Sequence, residues 1–117
     1  MAKKSNKKLE IFQAEYLRDF YTLAFSHPKV ETLIYWSGSD LYEWRGTAAG
    51  LLDVKHNPKP AYKVLRDLIK QKWHTNVNDF TDEMGTISFS GFYGEYIGKI
   101  KINGIEQSFT FDHTPAM

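Results

Sequence analysis

The sequence predicts an α/β chain: a helix, a buried strand, a long loop and a second helix, then a small antiparallel β extension. Three observations predict it. Apolar residues recur at three- and four-residue steps near the start of the chain and again after Pro58. Between those stretches Leu33, Ile34, Tyr35 and Trp36 form an apolar run without alternation, the pattern of a parallel strand buried on both faces. From about residue 75 the period falls to two, and Asn103-Gly104 separates two alternating runs.

Each element has its own signals. Leu9, Phe12, Tyr16, Phe20 and Leu23 make one apolar face of a helix over roughly 8–25, and Leu17, Ala24 and Phe25 widen it. Ser26-His27-Pro28 ends that helix, because the residue before a proline avoids helical angles. A strand over 30–36 follows. Gly38, Gly46 and Gly50 break the next segment into a loop. Asn57-Pro58-Lys59-Pro60 marks the return to helix, with Asn57 as a candidate cap and a proline tolerated in the first turn. Ala61, Leu65, Leu68, Ile69 and Lys72 or Trp73 mark the inner face of a helix over roughly 59–73. Three or four antiparallel strands are expected over 80–112, where Ile87 and Phe89 alternate with serines and Ile100 and Ile102 with polar neighbours. The domain division expected is 1–75 and 76–117. A parallel strand needs partners on its edges.

Composition narrows the function. The chain is 42% hydrophobic and 15% aromatic, which excludes compositional disorder. Fifteen basic against fourteen acidic residues leave a net charge of +1, which argues against nucleic acid as a partner. Lys3, Lys4, Lys7 and Lys8 read as a solvated helix start or a ragged terminus, since no aromatic or arginine residues interleave them. They precede no apolar h-region, so no signal peptide is expected. No apolar run approaches the roughly 20 residues of a membrane span, so no membrane partner is expected. With no cysteine, thiol catalysis and zinc–thiolate sites are excluded. The four histidines fall in no metal-binding pattern, and no phosphate-cradling glycine loop stands between a strand and a helix; no cofactor is expected.

The candidate site is the loop after residue 36. It carries Trp36 and Trp44, with Asp40, Glu43 and Arg45 among them. Flat aromatic faces above polar groups suit a sugar ring, which has apolar C–H faces and a polar rim. Asp40 also fits a loop organiser, and Arg45 either steers a sugar hydroxyl or braces the loop.

Three stretches, QAEYLRDFYTLAFSHPKVETLIYW, the Trp36–Asp40–Trp44–Arg45 spacing and LLDVKHNPKPAY, together resemble the C-terminal part of glycoside hydrolase family 10, the endo-β-1,4-xylanases. The tail WHTNVNDFTDEMGTISFSGFYGEY resembles a short β-rich extension found in one branch of that family, and the likeness runs over about 11–112. Ser37 departs from it, standing where the family usually has glycine. The resemblance implies the C-terminal fragment of a (β/α)8 TIM barrel, namely helix seven, strand eight and helix eight, followed by the β extension. It implies that Trp36 and Trp44 wall a sugar subsite, with Asp40 and Arg45 beside them, and that the polysaccharide is of the xylan type. Parent enzymes of this kind are normally exported.

A retaining glycosidase needs two carboxyl groups about 5–5.5 Å apart. The resemblance places both glutamates upstream of Met1, on barrel strands four and seven, so no catalytic residue is expected in this chain. The residues leave three readings open: an inert segment of a xylanase-like hydrolase, a non-catalytic carbohydrate-binding module, and an element completing a barrel supplied by a missing upstream portion. A lone parallel strand with two unpaired edges also predicts poor solubility or self-association.

Overall fold

The computed structural model describes residues 6–116. Lys3, Lys4 and the rest of residues 1–5 lie outside it, and with them much of the basic start. The chain divides into two units, one ending at Lys72 and one beginning at Trp73.

The first unit is built on two helices. Helix α1 spans Lys7–Ser26, and the Asn6 side chain caps it by accepting from the Leu9 N–H at 2.9 Å. It stops at His27, whose extended backbone obeys the proline that follows. Helix α2 spans Pro60–Asp67 with Pro60 in its first turn, where a missing N–H leaves no bond unmade. Its N-cap is Lys59, which makes no side-chain cap bond. Asn57, the cap expected from sequence, donates instead to Asp53. Leu68–Lys72 continue α2 as a π-helix.

Helices α1 and α2 pack together. Their buried residues are Ala14, Leu17 and Tyr21 on one and Ala61, Leu65 and Leu68 on the other, each set at helical spacing. Burial raises the proton affinity of the Tyr21 phenolate, and the nearby Tyr35 adds to the effect. The face of α1 expected to be core is turned outward. Leu9, Phe12, Tyr16, Phe20 and Leu23 are all exposed, and the rings of Phe12, Tyr16 and Phe20 follow one another at 6.4 Å between centroids.

The expected TIM-barrel fragment is not what the chain forms. Among the described residues there are two helices and one two-stranded antiparallel sheet, and no parallel strand. Residues 30–36, expected as barrel strand eight, join no sheet. The physical reason is hydrogen bonding: a parallel strand exists only beside another strand, and no other described segment offers an edge there. What pairing there is begins later. Ser39 makes an isolated parallel bridge with Leu52, and Leu52 an antiparallel one with Pro58.

The second unit is a hairpin. Strand β1 spans Gly94–Ile102 and β2 spans Ile105–His113, in register from Ile102 opposite Ile105 to Gly94 opposite His113. Asn103 and Gly104 join them with φ of 50° and 80°, the two positive values that a type I′ turn demands. The three or four strands expected over 80–112 are therefore two; Ile87 and Phe89 lie outside the sheet. One face carries Tyr96 stacked on Phe111 at 5.2 Å, with Phe109 beside it at 6.0 Å. The Phe109 ring covers Gly98 across the ladder, where no side chain fits beneath it.

Candidate functional site

Between the two helices of the first unit the chain runs through a loop that encloses a groove of about 470 Å3, lined by Trp36, Ser37, Gly38, Ser39, Tyr42, Glu43, Trp44, Leu52 and His56. Both tryptophans named from sequence reach this groove. They are open to solvent, Trp36 at 88% and Trp44 at 77% exposure, so each presents indole surface to a ligand. The Arg45 guanidinium lies over the Trp44 ring, 4.7 Å from its centroid.

Local turns set the walls. Ser39 caps a single turn of 3-10 helix, Asp40–Tyr42, by accepting from the Leu41 N–H, and its own hydroxyl donates to the Asp53 carbonyl. The Glu43 carboxylate accepts from the Thr47 N–H at 2.7 Å, which closes the turn bearing Trp44 and Arg45 and holds the Glu43 pKa below its ordinary value. In the turn that bears His56, the Asp53 carboxylate accepts from the N–H groups of Asn57 and Lys55 and from the Asn57 side chain, and these bonds lower its pKa. That turn carries His56 at a φ of 64°, a left-handed backbone uncommon outside glycine. It places the imidazole 5.9 Å from the Tyr42 ring.

Asp40 sits beneath the loop. It is 4% exposed, and its carboxylate accepts from the Gly50 N–H at 2.7 Å and from Lys59 Nζ at 3.1 and 3.3 Å. Lys59 is 3% exposed and also donates to the Ala48 carbonyl at 2.9 Å. The next two carbonyls are held likewise. Ala49 accepts from the Tyr35 hydroxyl at 2.6 Å and from Gln13 Nε2 at 3.1 Å, and Gly50 accepts from Gln13 Nε2 at 3.2 Å. Gly50 has no room for a side chain: a Cβ there would stand 2.5 Å from the Asp40 nitrogen.

Of the residues named from sequence, Trp36 and Trp44 face the groove, Arg45 lies against Trp44, and Asp40 is in the supporting layer. Sequence reasoning missed Tyr42 and His56 as groove walls, and Gln13 and Lys59 as supports. His56 had one legible signal, the Asp53-to-Asn57 spacing of a side-chain-capped turn. Gln13 had none, because its partners lie 36 and 37 positions away. Among the described residues no group of three or more histidine or acidic side chains is placed to hold a metal ion, and no helix is long and apolar enough to cross a membrane.

No protein-family model matches the chain. Over 95 residues, 81% of its length, it is 32% identical to the anti-sigma-I factor RsgI6 of Acetivibrio thermocellus. Over 66 residues, 51% of its length, it is 32% identical to endo-1,4-beta-xylanase B of Thermotoga neapolitana. The chain spans 12% of the first protein and 19% of the second. Its sequence is thus similar, in part, to that of a glycoside hydrolase.

Proposed function

We propose that residues 36–56 form a carbohydrate-binding surface for a xylan-type polysaccharide, and that this chain binds sugar without cleaving it. The observation that carries the reading is the pair of exposed indoles on one groove. Two flat apolar faces take up the C–H faces of a pyranose, while Tyr42, Glu43 and His56 offer hydrogen-bonding groups for its hydroxyls. Arg45 stacks on one face of the Trp44 ring and brings a hydrogen-bond donor beside it, leaving the opposite face for the sugar. The Thr47 N–H stabilises the Glu43 carboxylate and holds its pKa below the ordinary value. The partial likeness to a xylanase supports the choice of polysaccharide. No hydrolysis is assigned. Asp40 is ion-paired under the floor, and Glu43 is tied into its own turn, so neither serves as half of a free carboxyl pair.

The test is equilibrium binding of a soluble xylo-oligosaccharide, followed by calorimetry, with a reducing-sugar assay on the same sample. Binding without release of reducing ends is expected. Trp36→Ala and Trp44→Ala should each weaken binding about tenfold, the effect of removing an anchor worth over 1 kcal/mol, with the helical signal unchanged. Affinity insensitive to both substitutions overturns the reading.

The longer similarity, to an anti-sigma-I factor, favours a second reading in which the same groove serves a regulatory protein and occupancy is itself the output. A longer native polypeptide containing this chain that binds xylan and leaves it intact supports that reading; turnover of xylan by the same polypeptide counts against it.

A further inference from the structure

Lys59 is a buried lysine at the start of a helix, where its charge opposes the helix dipole. A buried ion pair is also a weak source of stability compared with apolar residues of similar volume. Its contacts point to another role. Three successive carbonyls, Ala48, Ala49 and Gly50, each accept from a side chain, and the Gly50 N–H donates to one. The side chains come from four separate places: α1, residue 35, the turn at residue 40 and the start of α2. The stretch they hold is the returning end of the loop whose outer turn carries Trp44.

We infer that Asp40 and Lys59, with Gln13 and Tyr35, are positioning residues that fix the Trp44 turn relative to Trp36 and so preset the groove for a sugar ring. The inference rests on the carbohydrate-binding reading for its consequence, though not for its geometry. A loop held by backbone ladders alone would need none of these donors. Here side chains satisfy the carbonyls, and an ammonium reaching both Asp40 and Ala48 fixes two ends of the loop at once. A ligand then finds the indole already placed rather than having to order it.

The test uses Asp40→Asn with Lys59→Met in the full chain. The pair removes both charges and keeps a carbonyl oxygen for the Gly50 N–H. With Trp36 and Trp73 changed to Phe, Trp44 is the one remaining tryptophan. The expected result is a new nanosecond component in the decay of Trp44 fluorescence anisotropy. With all three tryptophans restored, affinity for xylo-oligosaccharide should fall about tenfold, since small displacements of a binding group are heavily penalised. The helical signal should be retained. Tyr35→Phe removes one hydroxyl only and should shift both readouts in the same direction by a smaller amount; it decides the matter if the double variant does not fold. Anisotropy decay and affinity at native values in the variants that fold overturn the inference. If the native chain binds no xylo-oligosaccharide, the carbohydrate reading fails alone, and the Trp44 anisotropy still decides whether these residues position the loop.

Discussion

Replacing Gly50 by alanine probes the support of the loop with a single methyl group. The new Cβ would stand 2.5 Å from the Asp40 nitrogen, 2.6 Å from the Ser39 carbonyl carbon and 2.8 Å from Asp40 Oδ1. Two of these are backbone atoms, fixed by the bond from the Asp40 N–H to the Leu52 carbonyl and by the Ser39 cap. Relief therefore means moving the backbone, at about 1–3 kcal/mol for overpacking. The same movement breaks the 2.7 Å bond from the Gly50 N–H to the buried carboxylate, and a bond to a charged group contributes about 1.5–3 kcal/mol. The lower entropy of alanine in the unfolded chain returns about 0.4–1 kcal/mol. The net expectation is a loss of about 3 kcal/mol, a large fraction of the roughly 5–15 kcal/mol that holds a domain. Urea titration followed by the far-ultraviolet signal of α1 and α2 measures it. Gly38→Ala is the control, since no atom lies within 4 Å of its Cβ position, and it should change stability by no more than about 0.5 kcal/mol. Gly50→Ala matching that control would refute the reasoning.

Acid should loosen both walls of the groove. Asp53 and Glu43 have folded pKa values below their ordinary ones, chiefly through bonds from the backbone N–H groups of Asn57 and Thr47. A depressed carboxylate pKa contributes stability that is present above the ordinary value, roughly pH 4, and is lost as pH falls through the folded value. Protection against amide exchange, taken relative to the intrinsic rate at each pH, should fall at Asn57 and Thr47 in that acid window, and Asp53→Asn should remove the pH dependence of protection at Asn57; protection constant with pH in the native chain would count against it. The outward apolar stripe of α1 predicts concentration-dependent association, which sedimentation velocity reads directly. Phe12→Glu with Phe20→Lys should suppress it, and a sharp, concentration-independent monomer transition in the native chain would contradict it. Gly104→Ala places a Cβ at a φ of 80° and should weaken the hairpin by about 1 kcal/mol, read from cross-strand contacts in nuclear magnetic resonance spectra.

Local chemistry was legible in the sequence where it acts within a few residues. Helix α1 begins and ends within one residue of its expected limits, because proline ends it and the apolar period defines its extent. Asn103-Gly104 dictates its turn for equally local reasons. The orientation of α1 was not legible. Apolar side chains run nearly all the way round it, and the largest of them, Phe12, Tyr16 and Phe20, suggested the wrong inner face. Shape decided instead: Ala14 and Leu17 sit on the side that meets α2. Residues 30–36 read as strand because their composition suits one, yet pairing is a property of two segments and one of them cannot supply it alone. The site divides the same way. Trp36 and Trp44 announce themselves by type and spacing, whereas Gln13 and Lys59 matter only through carbonyls remote in the chain.

Among the described residues every lysine except Lys59 is exposed. Amine-reactive acylating reagents will therefore modify the others at once and leave this one silent until the polypeptide above it swings away. The slow appearance of that single adduct, followed by mass spectrometry on the unaltered protein, times the excursions of the tryptophan-bearing segment without any engineered probe. Once acylated, the nitrogen loses its cationic character and its fit beside the aspartate, so each excursion caught in this way becomes permanent.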